Sequence, residues 1–485
     1  MYHPPSKRKQ IIQRAIIYGI MSTTVIGLVV VLVFIMLGYQ FNRDDGRIEQ
    51  GGLVQFDSRP TGGTVSIDGA SFGTRTPSKT TLLAGQHFVT MTRDGYKSWQ
   101  KSVDVIAGSV LWLNYTRFIP NDLKPANVAD FSTVSSTSVS PNSKWMLLKE
   151  NPSDASLHLF DLSGDTVKHT TLELPAGSYT PTTEGRAHSF SLVKWDPDSR
   201  YVIVKHVYDD TKTEWLVVDT QNVDETKNVT KLLSIDASKL VFSGNNPKIL
   251  YAQIGSDVRR VDLGLATLSR PLVSNVSEFS LYDDSTIVFS SLIDPDTKKR
   301  SVGYYDEGAD NIQTVRSYSD DGTALLHLAL GKYFSDTYFA ISYGEKIDVL
   351  KGDFSNSSKA KQVASTTIAG GAQYLSVPTD GRFVVAQHDG TYVVTDLELN
   401  KTTTTTLKGA SEVKEQLQWL DTYTVWSDRD SMVRLYEFDG ANQHDIMPVT
   451  PGFNVTLNPD AKYLYGIMKS EDGAYHLERV RMVLP

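Results

Sequence analysis

The chain has 485 residues, of which 40% are hydrophobic and 21% charged, with no cysteine and a formal net charge of -8. That is enough chain for about three average domains. The lack of cysteine excludes a disulfide scaffold, thiolate catalysis, and any zinc or iron-sulfur site built on Cys.

From Ala15 to Phe41 no residue is charged, and Val25 to Leu37 is almost wholly aliphatic. About 20 apolar residues cross a hydrocarbon core, so this run predicts a transmembrane helix over 15–41. Tyr18 and Tyr39 sit near its ends, where amphipathic rings are favoured. A cleaved signal peptide would have a shorter apolar region and a small-x-small exit, and Met36-Leu37-Gly38-Tyr39-Gln40 offers none. Lys7, Arg8, Lys9 and Arg14 precede the run, whereas Arg43 and Arg47 after it are mixed with Asp44, Asp45 and Glu49. The basic bias predicts that tail 1–14 is cytoplasmic and that the bulk of the chain lies outside a cell membrane crossed once. Without those four positive charges the remainder carries 44 basic and 56 acidic residues, a net charge of -12. Such acidity argues against phosphate-backbone binding, so no nucleic acid partner is expected.

A linker is expected over 42–51, and then a small β-module over 52–118. Leu53 to Phe56, Thr64 to Ile67, His87 to Met91 and Val110 to Leu113 alternate as half-buried strands do. Asp68-Gly69, Leu83-Ala84-Gly85-Gln86 and Arg93-Asp94-Gly95-Tyr96 mark the turns between them. The ordered elements Pro60-Thr61-Gly62-Gly63, Val65-Ser66-Ile67-Asp68-Gly69, Gly73-Thr74-Arg75-Thr76-Pro77, Leu83-Ala84-Gly85 and Asp94-Gly95-Tyr96-Lys97-Ser98-Trp99 resemble the PEGA domain, a β-module of bacterial and archaeal envelope proteins. Gly63 stands where that family usually has Ala. The resemblance covers about a seventh of the chain. It implies an extracytoplasmic structural or adhesive role, with no catalytic residues to carry over. Tyr96 and Trp99 are expected in the core.

Gly69-Ala70-Ser71-Phe72-Gly73 fits the G-x-S-x-G pattern of a nucleophile elbow. An elbow needs a strand before the serine and a helix after it. Here another polar loop and Pro77 follow, with no helical period, so Ser71 is not expected to be a nucleophile.

Residues 119–128 are expected to form a second linker, and 129–485 a repeat array with the 40–50-residue period of propeller blades. The repeated unit is a polar turn, often x-Pro-Asn/Asp-x-Lys/Arg, followed by an aromatic and an aliphatic strand. Strong copies start at Ser140-Pro141, Asp196-Pro197, Pro378-Thr379 and Asn458-Pro459. Weaker ones start at Gly244-Asn245, Asp283-Asp284, Ser335-Asp336 and Asp421-Thr422. Each leads to a second β-rich run such as Leu157 to Phe160, Glu214 to Val218 or Tyr392 to Val394. Eight copies predict eight blades, with seven as the alternative. The fold class expected is therefore an all-β ectodomain behind one N-terminal transmembrane helix: a PEGA-like β-sandwich, then a propeller.

Trp195-Asp196-Pro197-Asp198-Ser199-Arg200 is similar to the turn of TolB-type and dipeptidyl-peptidase-type propellers. That resemblance implies the fold alone, because propellers host many functions. No hydrolase domain is expected after this propeller. In each turn Pro presets φ and Asn or Asp bonds its own backbone. The aromatic that follows packs between blades, which makes Trp145, Tyr201, Tyr338, Phe383 and Tyr463 structural expectations.

Candidate chemistry is thin. Acidic clusters occur at Asp209-Asp210, Asp283-Asp284, Asp306-Glu307-Asp310, Asp320-Asp321 and Asp428-Asp430, without calcium-loop spacing, and read as solvated loops. None of the ten His residues forms a short-spaced ligand pair. His206 beside Asp209-Asp210, and His388-Asp389, are the His/Asp neighbours worth following. Glycosylation sequons stand at Asn114, Asn228, Asn275, Asn356, Asn400 and Asn454. Thr402 to Thr406 reads as an outer blade edge. No catalytic, cofactor or metal residue is assigned, and no enzyme activity is expected.

Three readings remain. The first is a membrane-anchored binding or scaffold protein of a bacterial envelope, whose propeller face binds a protein or a cell-wall glycan. In it the small module acts as spacer or wall contact. The second is a subunit of an envelope assembly or secretion complex. The third is an enzyme with carboxylates and His from several blades in the central channel.

Overall fold

A computed structural model describes residues 7–42, 46–309, 311–355, 359–378, 381–407 and 416–485. Asp310, Asn356 and the Thr379-Asp380 part of one repeat turn fall outside them. The chain divides into two compact units, one running to Asp122 and taking in Leu484, the other running from Leu123 to Val483 with Pro485.

The first unit begins with helix α1 (Lys7–Met36). Gln10–Met36 is long and apolar enough to cross a membrane. Its large apolar side chains, from Ile11 to Met36, are exposed on every face, so no protein surface in the unit accounts for their apolar character. Thr23 and Thr24 return their hydroxyls to the carbonyls of Gly19 and Ile20, both at 2.9 Å, which satisfies both hydroxyls within the helix.

The helix stops at Met36, before the expected Phe41, because Gly38 takes a positive φ of 81°. The chain enters β1 (Tyr39–Asn42) at once, and β1 pairs with the start of β2 (Arg47–Arg59). The expected linker over 42–51 is thus largely strand. Its polar sequence hid a hairpin held by backbone pairing rather than by apolar alternation.

Seven of the eight strands in this unit complete two sheets with β2. They are β3 (Thr64–Ile67), β4 (Ala70–Arg75), β5 (Ser78–Leu83), β6 (Gly85–Thr92), β7 (Trp99–Val105) and β8 (Val110–Arg117), together with β1. One sheet runs β1-β2-β5 with β8 on β2, and the other β4-β3-β6-β7. Val54, Phe56 and Leu113 from the first meet Val65, Ile67, Val89, Met91 and Val103 from the second in one buried core. Tyr96 and Trp99 belong to it, as expected, at 6% and 2% exposure. β8 pairs with β2 in parallel, Leu53 opposite Val110 and Arg59 opposite Arg117. The chain therefore enters this sandwich at one end and leaves it at the other.

The second unit contains eight four-stranded sheets among the described residues, which makes it a β-propeller. Seven are antiparallel meanders in sequence order, over 136–173, 189–228, 239–268, 276–319, 326–367, 374–406 and 418–448. The eighth takes three strands from 456–481 and its outer strand from β9 (Pro125–Phe131), at the other end of the unit's sequence. Part of the expected 119–128 linker is thus the closing strand. Buried side chains fill the spaces between consecutive sheets. Phe131, Met146 and Phe160 meet Tyr465, Ile467 and Leu477 where the first and eighth sheets join.

All eight repeat turns precede the second strand of a sheet. Asp196 shows why the turn has its composition. Its carboxylate accepts N–H groups from Arg200 at 2.7 Å and Tyr201 at 2.6 Å, and Ser199 just before them adopts φ 62°. Asn458 does the same for Lys462 and Tyr463, both at 2.9 Å. Tyr338, Phe383 and Tyr463 are buried, and Trp145 and Tyr201 half-buried, in the core clusters. Lys401–Thr406 is an outer strand, as its β-propensity suggests.

Candidate binding cavity on the propeller rim

Successive turns of a meander fall at alternate ends. The repeat turns, between first and second strands, line one rim of the propeller. The second-to-third loops and the loops between sheets line the other. That second rim carries a cavity of about 650 Å³ among the sixth, seventh and eighth sheets. Tyr374 on an inner strand, Leu417 and Gln418 entering the seventh sheet, Trp426 to Asp430, and Pro451 to Asn454 line it.

Rigid elements hold these loops. Gln387 accepts the Leu417 N–H at 2.8 Å and donates to the Asp389 carbonyl at 2.8 Å, tying the sixth sheet to the entry of the seventh. Asp428 accepts the Gly452 N–H at 2.7 Å, joining the seventh sheet's loop to that leading into the eighth. Asn454 exchanges hydrogen bonds with Thr137 of the first sheet, at 2.8 and 3.2 Å. Asp430 and Ser431 both adopt left-handed φ, 57° and 55°. Adjacent non-glycine residues in that region concentrate strain where Asp430 lines the cavity.

Arg429 lies 3.8 Å from Asp430, whose carboxylate is 59% exposed. The lining combines aromatic faces (Tyr374, Trp426, Phe453), amides (Gln416, Gln418, Asn454) and charges of both signs (Asp428, Arg429, Asp430). Such a mixture orients a polar ligand while its apolar faces rest on rings. Of these residues, the sequence singled out Asp428 and Asp430, as solvated carboxylates, and Asn454, as a sequon. The aromatics had no local signature, because they come from three blades.

Described members of the other acidic clusters make contacts that hold loops and strands. Asp209 binds the Thr183 N–H at 2.8 Å, and Asp210 binds Ala187 N–H at 2.9 Å and Arg186 at 2.7 Å, so the pair pins the long loop between the first two sheets. Asp284 bonds Asn245, Glu307 bonds Tyr251, and Asp320 lies 3.3 Å from Arg300. His388 bonds the Gly371 carbonyl at 2.5 Å, with Asp389 4.0 Å away. Among the described residues, no three His, Asp or Glu are grouped to hold a metal. Ser71 lies within exposed strand β4, without the strand-turn-helix of an elbow. Asn228 is engaged in capping a short helix, accepting the Lys231 N–H.

His206 meets neither Asp209 nor Asp210 in the way its sequence position suggested. It is fully buried and bonds Glu214 at 2.8 Å, with the Phe190 ring stacked on it at 4.2 Å. Burial raises the Glu214 pKa. Hydrogen bonds from His206, Asn228 and Thr180 outweigh it and hold the carboxyl at about 2. Four inner strands bring Lys194, Lys239, Glu278 and His327 to the middle of the ring. Burial holds Lys239 below its ordinary pKa, opposed by the charge of Glu278, and Lys239 donates to the Phe279 carbonyl at 2.6 Å. Burial lowers His327 likewise, again against Glu278.

Fold and rim together define a β-propeller protein with an appended β-sandwich and a membrane-length helix. Residues 52–117 match the PEGA domain, so the sandwich is a PEGA domain. No curated protein matches the chain. Among solved structures, the chain is similar to the C-terminal WD40 domain of Sif2 at TM-score 0.44 and 10% identity, covering 74% of this chain and 98% of that one. It is also similar to Kluyveromyces lactis Hsv2 at TM-score 0.38 and 8% identity, covering 73% and 100%. The propeller assignment stands on the sheet topology.

Proposed function

We propose that this is a membrane-anchored, extracytoplasmic binding protein of a bacterial cell envelope, whose propeller rim takes a protein or glycan ligand. The rim cavity carries the reading. It joins aromatic and polar side chains from three blades on loops fixed by Gln387, Asp428 and Asn454. In this reading α1 is the anchor, with the basic tail in the cytoplasm. The PEGA domain is the spacer. The parallel pairing of β2 and β8 supports that role, because it sends the chain from one end of the sandwich to the other. Seven residues of strand, Leu53 to Arg59, cover about 20 Å.

The test is retention of the full-length detergent-solubilised chain on isolated cell-wall polymer and on immobilised envelope proteins. Saturable retention that Phe453→Ala and Asp430→Arg both weaken about tenfold supports the cavity as the site. Retention unchanged in both variants moves binding elsewhere, and retention by neither matrix overturns the reading.

A further inference from the structure

The end of the PEGA domain next to the helix is tied to it without slack. Only Leu37 and Gly38 separate α1 from β1, a reach of about 7 Å. The Gly51 N–H donates to the Gly38 carbonyl at 2.9 Å, and the Gln50 side chain caps the Leu37 carbonyl at 2.9 Å. The Gly108 N–H in turn binds the Gly51 carbonyl at 2.9 Å, so the β7–β8 loop closes on the same point. A side chain at residue 51 would strike the Leu82 carbonyl, and one at residue 52 would come within 2.6 Å of the Ile106 carbonyl. Glycine permits this close junction.

That end is apolar and open. Phe41 and Ile48 face each other across β1 and β2 at 64% and 69% exposure. Ile106 in the β7–β8 loop is 63% exposed and Val110, at the start of β8, is 41% exposed. The opposite end, formed by residues 60–63, 93–98 and 117–121, exposes no large apolar side chain among the described residues. Arg47, Glu49 and Asp104 accompany the apolar group, a mixed charge that leaves its apolar surface as its main feature.

We propose that this end of the PEGA domain rests in the lipid interface, with Phe41, Ile48, Ile106 and Val110 among the headgroups and upper acyl chains. The proposal rests on α1 spanning the bilayer. The same short junction that ends the helix then sets these side chains at interfacial depth. Apolar groups buried about 5–10 Å below the headgroup level hold interfacial segments in place. The domain would be seated on the membrane as well as tethered to it, and its far end would be held at a fixed height.

The chain has no cysteine, so single labels are unambiguous. Val29→Cys, Ile48→Cys, Ile106→Cys and Thr61→Cys, each carrying an environment-sensitive fluorophore, are compared in the full chain in phosphatidylethanolamine and phosphatidylglycerol vesicles. Headgroup-level and deep-acyl nitroxide lipids serve as quenchers. The expected result is about twofold quenching of labels 48 and 106 by the shallow lipid, little at 61, and quenching of 29 by the deep lipid. Quenching at 29 alone overturns the proposal and leaves the anchor standing. Labels 48 and 106 that are shielded but unquenched overturn it in favour of a protein cover. No quenching at 29 overturns the anchor and the proposal together.

Discussion

Arg382 holds Asp396 with its Nη2 at 2.7 Å and its Nε at 3.2 Å, and both side chains are less than a tenth exposed. Arg382 is the basic residue of a repeat turn, and Asp396 ends the third strand of the same blade. Arg200 and Asp219 repeat the pair at 2.6 Å, Lys144 and Asp161 at 4.0 Å. The cation also lies over the aromatic that follows it, 5.2 Å from Phe383 and 5.1 Å from Tyr201. In these three turns the basic residue ties the second strand to the third. Glu398 adds a second contact to Arg382 at 2.7 Å.

Removing Arg382 leaves buried carboxylate uncompensated. Arg382→Met is expected to lower unfolding free energy by about 3–5 kcal/mol in chemical denaturation. Arg200 is 43% exposed while its partner Asp219 is 3% exposed, so water replaces only part of the contact and Arg200→Met is expected to cost less than the Arg382 change, about 1–3 kcal/mol. Equal losses at both sites would show that burial does not set the strength of the pair.

Acid should act through Glu214. Its carboxyl titrates near 2 when folded, below the ordinary 4.5, so its contribution is complete above about pH 4.5 and fades as pH falls toward 2. The linkage is worth roughly 3 kcal/mol. Glu214→Gln should therefore flatten the stability profile between pH 4.5 and 2, relative to the parent chain, in denaturant titrations at each pH. A parallel downward shift across the window would contradict the assignment.

The left-handed residues at the cavity mouth give a trade-off to measure. Ser431→Gly removes a side chain from φ 55° and is expected to raise stability by about 1 kcal/mol. If the strained backbone shapes the cavity, ligand retention falls as stability rises. Thermal unfolding and retention assays on the same preparation check both halves.

Ring closure depends on β9. Phe131 is 7% exposed and packs against Phe160 at 6.1 Å and His158 at 5.2 Å. Phe131→Ala is expected to cost about 3–5 kcal/mol and to raise hydrogen exchange in the first and eighth blades before the others. Uniform exchange across all blades would instead mark the propeller as one cooperative unit.

Much of the architecture is legible locally. The apolar run of α1, the alternating strands and Asp-Gly turn of the PEGA domain, and the Pro-Asn/Asp turns each report short-range stereochemistry. A further periodic signal runs through the third strands. Asp161, Asp219, Asp262, Asp306, Asp353, Asp396 and Asp439 each fall at or just beyond the end of a third strand. Asp262 shows the reason, accepting the Gly264 and Leu265 N–H groups at 2.9 and 3.0 Å to turn the chain. The helix end and the 39–50 hairpin differ from the expectation because the positive φ of Gly38 and the backbone pairing of β1 with β2, rather than apolar alternation, set them.

Sequence by itself thus determined the elements and their order, because helix span, strand period and turn chemistry are encoded within a few residues. Tertiary structure decided what meets. It brought Tyr374 of the sixth sheet, Trp426 and Asp430 of the seventh and Phe453 of the loop into the eighth to one cavity, and took His206 away from Asp209 to Glu214. It also used β9 to close a ring whose last strand lies about 350 residues further along. Contacts at such separation arise from sheets packing side by side around an axis, a geometry that no window of neighbouring residues records.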